Sequence, residues 1–330
     1  MLCDGFGRAH DDLRVSVTDR CNLRCSYCMP VAPRWYPRGE ILAYEEAARL
    51  VAILARAGVR RVRVTGGEPL VRKDLDVFVA AVARVEGVRD VSLTTNGVLL
   101  AEHAESLARA GLSRINVSLD TLDGERFFRV TRRHDLPLVL RGLEAARHAG
   151  LTPVKLNTVL VRGLNDDEVE RMAGFARDQG LELRFIEFMP LENGAHWDRR
   201  EVVTGEEVRA RIARLWSIEP EPADDPSAPA VRWRYRDGAG AVGFIDSVSA
   251  PFCADCSRLR LTADGHFRVC LYDDRETDLK TPMRGGASDE ELLALMRAAI
   301  ARKGPGGALE VLSSGARTGV RTRSMHQIGG

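Results

Sequence analysis

The sequence "LRVSVTDRCNLRCSYC" (residues 13–28) joins a short β-like run to three closely spaced cysteines. Residues in the run alternate in polarity, so that Val15 and Val17 would share one face of a strand while Arg14 and Ser16 share the other. The stretch therefore predicts a strand with one apolar and one polar face. The cysteines would follow just beyond its carboxyl end.

Five further β-like runs follow before residue 190, and helix-like segments lie between most of them. The runs are RRVRVT (60–65), VSLTTN (91–96), RINVSLD (114–120), TPVKLNTVL (152–160) and LELRFIEF (181–188). Amphipathic stretches such as YEEAARLVAILARAG (44–58) and LPLVLRGLEAARHAG (136–150) predict the intervening helices. Repeated β-α units of this kind indicate a parallel sheet with helices packed on it.

One face of the predicted strands is polar in strand after strand. It carries the side chains of Arg14, Arg63, Thr94, Ser118 and Lys155. A closed eight-stranded β/α barrel fills its interior mainly with Val, Ile and Leu, and a single solvated face is more typical of antiparallel sheets. We therefore predict an α/β fold in which about six β/α units form an incomplete barrel. Its polar, partly cationic cavity would hold an anionic ligand.

The pattern of alternating strands and helices changes after residue 190. EVVTGEEVRARIARLW (201–216) predicts a helix, and the Pro/Asp/Ser-rich SIEPEPADDPSAPA (217–230) predicts a linker or surface loop. We therefore divide the chain into domains at 1–216 and 217–330. The second domain is expected to contain two strands and a helix, at 231–236, 241–248 and 288–302. Its Gly-rich end, SMHQIGG, would by default fray.

The overall composition is that of an ordinary globular protein. Of its 330 residues, 45% are hydrophobic and 29% are charged, and the formal net charge is +1. This near-neutral balance does not indicate a nucleic-acid partner. The N-terminal sequence lacks the apolar region of a secretory signal, and no run of about 18 apolar residues suggests a membrane span. We therefore expect a cytoplasmic protein without membrane partners, in which clustered cysteines bind metal or do chemistry.

Six of the seven cysteines form two groups of three, and Cys3 is assigned no role. The groups, spaced C-x3-C-x2-C and C-x2-C-x13-C, are Cys21, Cys25 and Cys28, and Cys253, Cys256 and Cys270. Structural zinc usually takes four ligands, and neither group has a fourth Cys or His at a usual spacing. A [4Fe–4S] cluster held by three thiolates leaves one iron free to bind something else. The spacing therefore favours two iron–sulfur clusters, with zinc as the alternative.

Two glycine-rich motifs have different implications. TGGEP (65–69) follows a predicted strand directly, so Gly66 and Gly67 would let a ligand approach the backbone and Glu68 could meet an amine. By itself such a turn is a weak signal. GAGAVG (238–243) matches the dinucleotide-binding pattern, but it lies between two strand-like runs, where a hairpin turn is expected instead.

Taken together, "LRVSVTDRCNLRCSYCMP" (13–30) and "RVTGGEPLVR" (63–72) resemble the radical S-adenosylmethionine (SAM) superfamily. Within it, the chain resembles the GTP 3′,8-cyclase family of molybdenum-cofactor biosynthesis. This narrower resemblance covers nearly the whole chain and rests on RINVSLDTLD, KLNTVLVRGLND, RFIEFMPLENG, PFCADCSRLRLTADG and the terminal Gly-Gly. It implies a partial (β/α)6 TIM-like barrel of the radical SAM type. A C-terminal α+β region would bind the second cluster and close the barrel.

The resemblance also implies a role for each cysteine group. In the family, the first group holds a [4Fe–4S] cluster whose fourth iron is chelated by the amine and carboxylate of SAM. The second holds another cluster, whose open iron binds the guanine of GTP. The positions that match SAM contacts are Tyr27, Gly66, Gly67, Glu68, Ser118 and Met189. Those that match GTP contacts are Arg14, Arg63, Thr94, Lys155, Arg258 and Arg260.

The implied reaction is the radical cyclisation of GTP to 3′,8-cyclo-7,8-dihydro-GTP. A 5′-deoxyadenosyl radical derived from SAM would take hydrogen from ribose C3′, and the C3′ radical would close onto guanine C8. The expected catalytic residues are Arg258, Arg260, Gly329 and Gly330, since the Gly-Gly tail of the family reaches into the active site. Ser257 stands where the family often has Asn, and Arg61 is a position where Lys would also be accepted.

Partners follow from the same resemblance. They are GTP as the substrate, a flavodoxin or ferredoxin as the electron donor, and a cyclic pyranopterin monophosphate synthase as the next enzyme, with the chain a monomer or homodimer. Two alternative functions stay open. A peptide-modifying radical SAM enzyme with an auxiliary cluster would usually carry more C-terminal cysteines. A non-catalytic iron–sulfur or zinc regulator would leave TGGEP and the polar strand faces unexplained.

Overall fold

A twelve-stranded sheet forms the centre of the computed structural model, which describes residues 1–30, 32–191, 197–223, 225–313 and 323–329. The first six strands are parallel and adjacent in chain order. They are β1 (Asp12–Ser16), β2 (Arg61–Thr65), β3 (Asp90–Thr95), β4 (Arg114–Ser118), β5 (Val154–Leu160) and β6 (Glu182–Glu187). All six predicted runs are confirmed, with ends shifted by at most two residues.

Seven helices accompany these strands in the described residues and pack on the apolar face of the sheet. They are α1 (Tyr44–Ala57), α2 (Leu75–Ala83), α3 (Leu100–Arg109), α4 (Gly124–Thr131), α5 (Leu136–His148), α6 (Val169–Asp178) and α7 (Gly205–Leu215). Strand residues such as Val15 and Leu93 are fully buried in one core cluster with helix residues such as Leu50 and Phe78. The predicted division of the strands into an apolar and a polar face is therefore confirmed on its apolar side.

Later strands extend both edges of this sheet. They are β7 (Ile218–Pro220), β8 (Val231–Tyr235), β9 (Ala241–Ile245), β10 (Arg258–Leu261), β11 (His266–Arg268) and β12 (Thr277–Asp278). Strand β9 pairs in parallel with β6, and β10 pairs in parallel with β1. The prediction of a partial barrel is confirmed, since in the described part of the chain the sheet is not closed. The C-terminal strands lengthen its two edges instead of joining them.

The GAGAVG motif has the structure expected of a hairpin. Gly238 and Gly240 have φ angles of 81° and 94° in the turn between β8 and β9, which pair antiparallel. Such positive φ values favour glycine, so the turn accounts for the motif without a nucleotide.

Four helices follow the sheet region in the described residues: α8 (Lys280–Arg284), α9 (Asp289–Ala301), α10 (Gly307–Ser313) and α11 (Met325–Ile328). Helix α9 begins at a capping box, in which Ser288 and Glu291 each accept a hydrogen bond from the other's backbone N–H. The expectation that the C-terminal tail frays is wrong for its described residues, because α11 forms a helical turn that buries His326 and Ile328. None of the described helices is both long and apolar enough to cross a membrane.

Candidate active site

A cavity of about 330 Å³ is lined by residues of both cysteine groups and by the polar face of the sheet. All six clustered cysteines line it. So do most of the predicted ligand contacts: Arg14, Tyr27, Arg63, Gly66, Gly67, Glu68, Thr94, Ser118, Met189, Arg258 and Arg260. Lys155 lies outside the lining, where its ammonium is 3.7 Å from the carboxylate of Glu182. The cavity thus brings together residues that are distant in the sequence.

The loop that carries the first cysteine group is held against the glycine turn that follows β2. The backbone N–H of Gly67 donates to the carbonyl oxygen of Thr18 at 2.7 Å, and that of Glu68 donates to Arg20 at 2.7 Å. A Cβ on Gly66 would lie 2.7 Å from the Thr18 oxygen, so a larger residue would push the two loops apart. The paired glycines therefore allow close packing of two backbone segments, besides lining the cavity as the sequence suggested.

Glu68 ties together the loops around the first cysteine group. Its carboxylate is 1% exposed and accepts hydrogen bonds from Thr95 Oγ1 and the N–H of Asn96, both at 2.7 Å, and from the N–H of Leu70 at 3.0 Å. Burial raises the pKa of Glu68 to about 7, while these hydrogen bonds favour its charged form. The sequence did not reveal this bracing role.

Burial and nearby carboxylates disfavour charge on the first cysteine group. Burial raises the pKa of Cys21 to about 11, and the neighbouring Glu68 adds to the effect. Burial also raises the pKa of Cys25 well above its ordinary value, and Cys28 and Asp120 contribute in the same direction. Asp120 lies in the cavity lining and accepts a short hydrogen bond from Tyr27 Oη. Its position just beyond the polar face of β4 was the available sequence signal.

The second cysteine group has cationic surroundings. The Sγ atom of Cys256 accepts hydrogen bonds from Nε and Nη2 of Arg258, at 3.4 and 3.3 Å, and lies 3.7 Å from Nζ of Lys303. Burial raises the pKa of Cys256, but the charges of Arg258 and Lys303 outweigh it and hold the pKa at about 6. Sequence reasoning missed Lys303, which lies far from the cysteines along the chain.

Both cysteine groups line the cavity with thiol side chains and are compatible with iron–sulfur clusters. Within the described ranges, no three Cys, His, Asp or Glu side chains are grouped so as to hold one metal ion. A cubane cluster binds each thiolate at a different iron, so its ligands need not converge on one point. At the second group, a Cβ on Gly306 or Gly307 would come within 2.9 Å of Cys253 Cβ or Cys270 Sγ. These glycines keep space free beside the cysteines.

Three arginines stand side by side on the polar face of the sheet. The strand register places Arg14 opposite Arg260 on β10 and opposite Arg63 on β2. The Nε atoms of Arg14 and Arg63 are buried and lack a hydrogen-bond partner among the described residues. Burial lowers the pKa of Arg14, and the charges of Arg260, Arg63 and Arg258 lower it further. Burying several like charges side by side is unfavourable, so this row suits a ligand with several negative charges.

The C-terminal tail is fixed beside the arginine row. Arg260 donates a short hydrogen bond to the carbonyl oxygen of Gly329. Gly329 has a φ of +80°, and a Cβ there would lie 2.8 Å from Thr65 Cγ2, so a larger residue would be both strained and crowded. Gly330, the other predicted tail residue, lies outside the described residues.

Arg323 anchors the start of the described tail. Its guanidinium is 2.9 Å from Asp264 Oδ1 and 2.6 Å from Glu276 Oε2, and it donates to Tyr36 Oη at 2.6 Å. The side chain of Arg323 is 10% exposed, so the ion pairs are largely shielded from water. Sequence reasoning missed Arg323, because nothing local distinguishes it in an arginine-rich chain.

Two family models match the chain. Residues 15–176 match the radical SAM superfamily, and residues 181–309 match Molybdenum Cofactor Synthesis C. The domain boundary predicted at residues 216 and 217 lies within the second match and stays a prediction.

Curated GTP 3′,8-cyclases resemble the chain along its length. It is 46% identical to that of Moorella thermoacetica, over 99% of each chain. It is 43% identical to that of Rhodopirellula baltica, over 100% of this chain and 92% of the relative. The solved structure of Streptococcus suis SuiB bound to S-adenosylmethionine is similar in fold alone, with 12% identity and a TM-score of 0.60 over 95% of this chain and 76% of that one. The chain therefore belongs to the GTP 3′,8-cyclase family of radical SAM enzymes.

Proposed function

We propose that the cavity between the two cysteine groups is where the chain converts GTP to 3′,8-cyclo-7,8-dihydro-GTP, the first step of molybdenum-cofactor biosynthesis. This reaction needs two cluster sites and an anion-binding surface around one substrate. The observation that carries the assignment is that one cavity is lined by both sets of three cysteines and by three neighbouring arginines. Two of these, Arg14 and Arg63, have a buried Nε without a hydrogen-bond partner among the described residues.

Enzymes of this family use SAM and two [4Fe–4S] clusters. The cluster that binds SAM would be held by Cys21, Cys25 and Cys28, and the cluster that binds the guanine of GTP by Cys253, Cys256 and Cys270. When bound, the first cluster and SAM supply the 5′-deoxyadenosyl radical that takes hydrogen from ribose C3′. The protein's own contribution is to bind both small molecules, orient them and exclude competing reactions.

Residues beside the first cysteine group would bind SAM. Tyr27 is held in place by its hydrogen bond to Asp120, and Glu68 by its contacts with the loops after β2 and β3. A carboxylate so positioned can accept a hydrogen bond from the amine of SAM. The remaining proposed contacts, which share the same cavity lining, are Gly66, Gly67, Ser118 and Met189.

The arginine row would bind the triphosphate of GTP. A triphosphate carries a charge of roughly −4, and charge-assisted hydrogen bonds to it are strong where water is largely excluded. Arg14, Arg63 and Arg260 lie next to one another across three strands, and Arg258 lies beside the second cysteine group. Thr94 adds a hydroxyl to the same cavity. Lys155 has the weakest support, because it pairs with Glu182 outside the lining.

The tail would complete the site. The carbonyl of Gly329 is bonded to Arg260, so a correctly placed tail would hold one of the arginines that we assign to GTP. We assign Arg258, Arg260, Gly329 and Gly330 to the catalytic site on this basis and on the family resemblance. Arginines held in fixed positions would orient GTP so that its reacting atoms lie in the geometry that the reaction needs.

Further parts of the proposal rest on the family resemblance alone. A flavodoxin or ferredoxin would donate the electron, and a cyclic pyranopterin monophosphate synthase would act on the product. The chain would work in the cytoplasm as a monomer or homodimer.

Anaerobic reconstitution with iron and sulfide, followed by dithionite, SAM and GTP, tests the function. We expect about eight irons per chain, because each of two clusters contains four. Mass spectrometry should detect 3′,8-cyclo-7,8-dihydro-GTP and 5′-deoxyadenosine, the latter dependent on GTP. Cleavage of SAM with unchanged GTP would point to another radical SAM enzyme. About one zinc and no iron would favour a regulator.

A further inference from the structure

A buried chain of polar side chains links the N-terminal segment to the second cysteine group. Its members are Asp4, His10 and Lys303, which are 7%, 1% and 4% exposed. Neither the sequence motifs nor the proposed function assigns a role to any of them. A buried lysine requires a partner, since removing an ammonium group from water is costly.

The contacts run in one direction, from the carboxylate of Asp4 to the sulfur of Cys256. Oδ2 of Asp4 lies 3.1 Å from Nε2 of His10. Nδ1 of the same ring lies 3.5 Å from Nζ of Lys303, which in turn lies 3.7 Å from Sγ of Cys256.

The groups around Lys303 Nζ can accept hydrogen bonds from an ammonium group, while burial lowers the pKa of Lys303. Nζ also donates to the carbonyl oxygens of Cys256 and Arg258, at 3.3 and 3.2 Å. An ammonium has three donors and no acceptor, and its neighbours here are carbonyl oxygens, a sulfur and a ring nitrogen that can accept. If Nδ1 of His10 accepts, its Nε2–H must donate, and the carboxylate of Asp4 is placed to receive that proton. With Nε2–H directed at the carboxylate of Asp4, Nδ1 of His10 is the ring nitrogen that can accept from Lys303.

The same segment also holds the backbone around the cysteines. Arg8 bonds Asp4 through Nε at 2.6 Å. Its Nη1 atom donates to the carbonyl oxygens of Cys253 and Pro305, both at 2.8 Å. Residues 4–10 therefore fix both the cysteine loop and the turn that follows Lys303. The ammonium is held at a set distance from Cys256.

Cys21, in the first cysteine group, receives donors of a different kind. Its Sγ atom accepts from the backbone N–H of Leu23 at 3.4 Å and from Nδ2 of Asn96 at 3.8 Å. Both donors are neutral. Cys21 and Cys256 therefore differ in the charge of the groups that donate hydrogen bonds to their sulfur atoms.

We propose that Lys303, positioned by Asp4 and His10, raises the reduction potential of the cluster bound by Cys253, Cys256 and Cys270. This inference rests on the proposed function, which places a cluster there. Reduction adds one negative charge to a cluster, so a buried cation at a ligand sulfur stabilises the reduced form more than the oxidised form. Lys303 is not among the residues that line the cavity and would act through Cys256, so it is a positioning residue.

A potentiometric titration of the reconstituted holoenzyme, followed by electron paramagnetic resonance, tests the proposal. The variants are Lys303→Met, which keeps the length of the side chain without its charge, Lys303→Arg, which keeps the charge, and the exposed control Lys73→Met. The signal that is missing in Cys256→Ser identifies the second cluster. In Lys303→Met, the ratio of reduced to oxidised second cluster at a fixed potential should fall at least tenfold, which is a shift of about 59 mV for one electron.

In the same titration, the first cluster should keep its midpoint in every Lys303 variant, and Lys303→Arg and Lys73→Met should resemble the wild type. A fully loaded Lys303→Met with the wild-type midpoint would overturn the proposal. If Lys303→Met loses iron from the second site while Lys303→Arg keeps it, the requirement for a cation is supported. If Lys303→Met and Lys303→Arg lost the same amount of iron from the second site, Lys303 would be a packing residue and the proposal would be wrong. A wild-type chain without iron would instead refute the proposed function itself.

Discussion

The two cysteine groups line one cavity, but the protein surrounds them with opposite charges. Near the first, Glu68 and Asp120 add to burial, and the pKa of Cys21 rises to about 11. Near the second, Arg258 and Lys303 outweigh burial, and the pKa of Cys256 falls to about 6. Cysteine spacing alone makes the groups look equivalent. The comparison shows that the surrounding elements give each one a different electrostatic environment, which suits two clusters with different ligands.

The largest expected effects come from removing one group at a time. Cys25→Ser and Cys256→Ser should each lose about four of about eight irons and abolish the cyclised product, because each removes one cluster. Cys25→Ser should also abolish SAM cleavage, whereas Cys256→Ser should retain some cleavage that no longer depends on GTP. Iron analysis and mass spectrometry measure both, with exposed Cys3→Ser as the control. If SAM cleavage were lost in Cys256→Ser but kept in Cys25→Ser, the ligands that we assign to the two cysteine groups would have to be exchanged.

Changes to the C-terminal tail test whether the arginines near the second cysteine group must be held in place. Deleting Gly329 and Gly330 should abolish cyclisation, because the tail would no longer hold Arg260. Arg323→Ala should lower the turnover of GTP at least tenfold, since it leaves Asp264 and Glu276 without their shared cation and frees the tail. Limited proteolysis of the C-terminus, followed by mass spectrometry, should show faster cleavage in Arg323→Ala. An unchanged turnover in the deletion variant would show that the tail has no part in the reaction.

The arginine row should act on GTP and leave the first cluster intact. We expect Arg14→Gln to raise the KM for GTP about 10- to 100-fold, because a lost hydrogen bond between charged groups costs about 1.5–3 kcal/mol. Steady-state kinetics with a fixed SAM concentration measure this effect, and Arg214→Gln, on the exposed side of α7, is the matched control. A normal KM in Arg14→Gln would remove that arginine from the GTP site.

The smallest effect concerns pH. Burial lowers the pKa of His326 to about 4, and the charge of Arg24 adds to the effect. Since the folded-state pKa lies below the ordinary 6.5, the unfolded chain binds more protons, and stability falls as the pH drops from about 6.5 towards 4. His326→Phe should remove part of this loss, so its melting temperature should fall about 2–4 °C less than that of the wild type between pH 7 and pH 4.5. If the melting temperatures of the wild type and His326→Phe fell by the same amount between pH 7 and pH 4.5, this interpretation would be contradicted.

The polar strand face could be predicted because alternation is a local property of the sequence. Arg14 and Arg63 are far apart in the sequence, but each lies on the cavity side of its own strand. Parallel pairing of β1 and β2 places them opposite each other. The two cysteine groups were predictable for a similar reason, since the members of each group lie close in sequence. The family resemblance then supplied what spacing left open, namely a prediction of which ligand each group serves.

What the sequence could not provide depends on long-range contacts. Pairing of β10 with β1 brings residues 246 positions apart into contact, and this places Arg260 beside Arg14. The contacts of Lys303 with Cys256 and of Arg323 with Asp264 arise in the same way. The tail was expected to fray because its end is rich in glycine. Its helical turn forms because burial of Ile328 and the hydrogen bond between Arg260 and Gly329 fix it from outside.

The most direct test of the account is the electron paramagnetic resonance spectrum of the reduced holoenzyme, with SAM and GTP added separately. We predict that SAM changes the signal that is missing in Cys25→Ser, and that GTP changes the signal that is missing in Cys256→Ser. Each cysteine group would then serve its own ligand in the shared cavity. If both ligands alter the same signal, or GTP alters neither, the division of the cavity between the two groups is wrong.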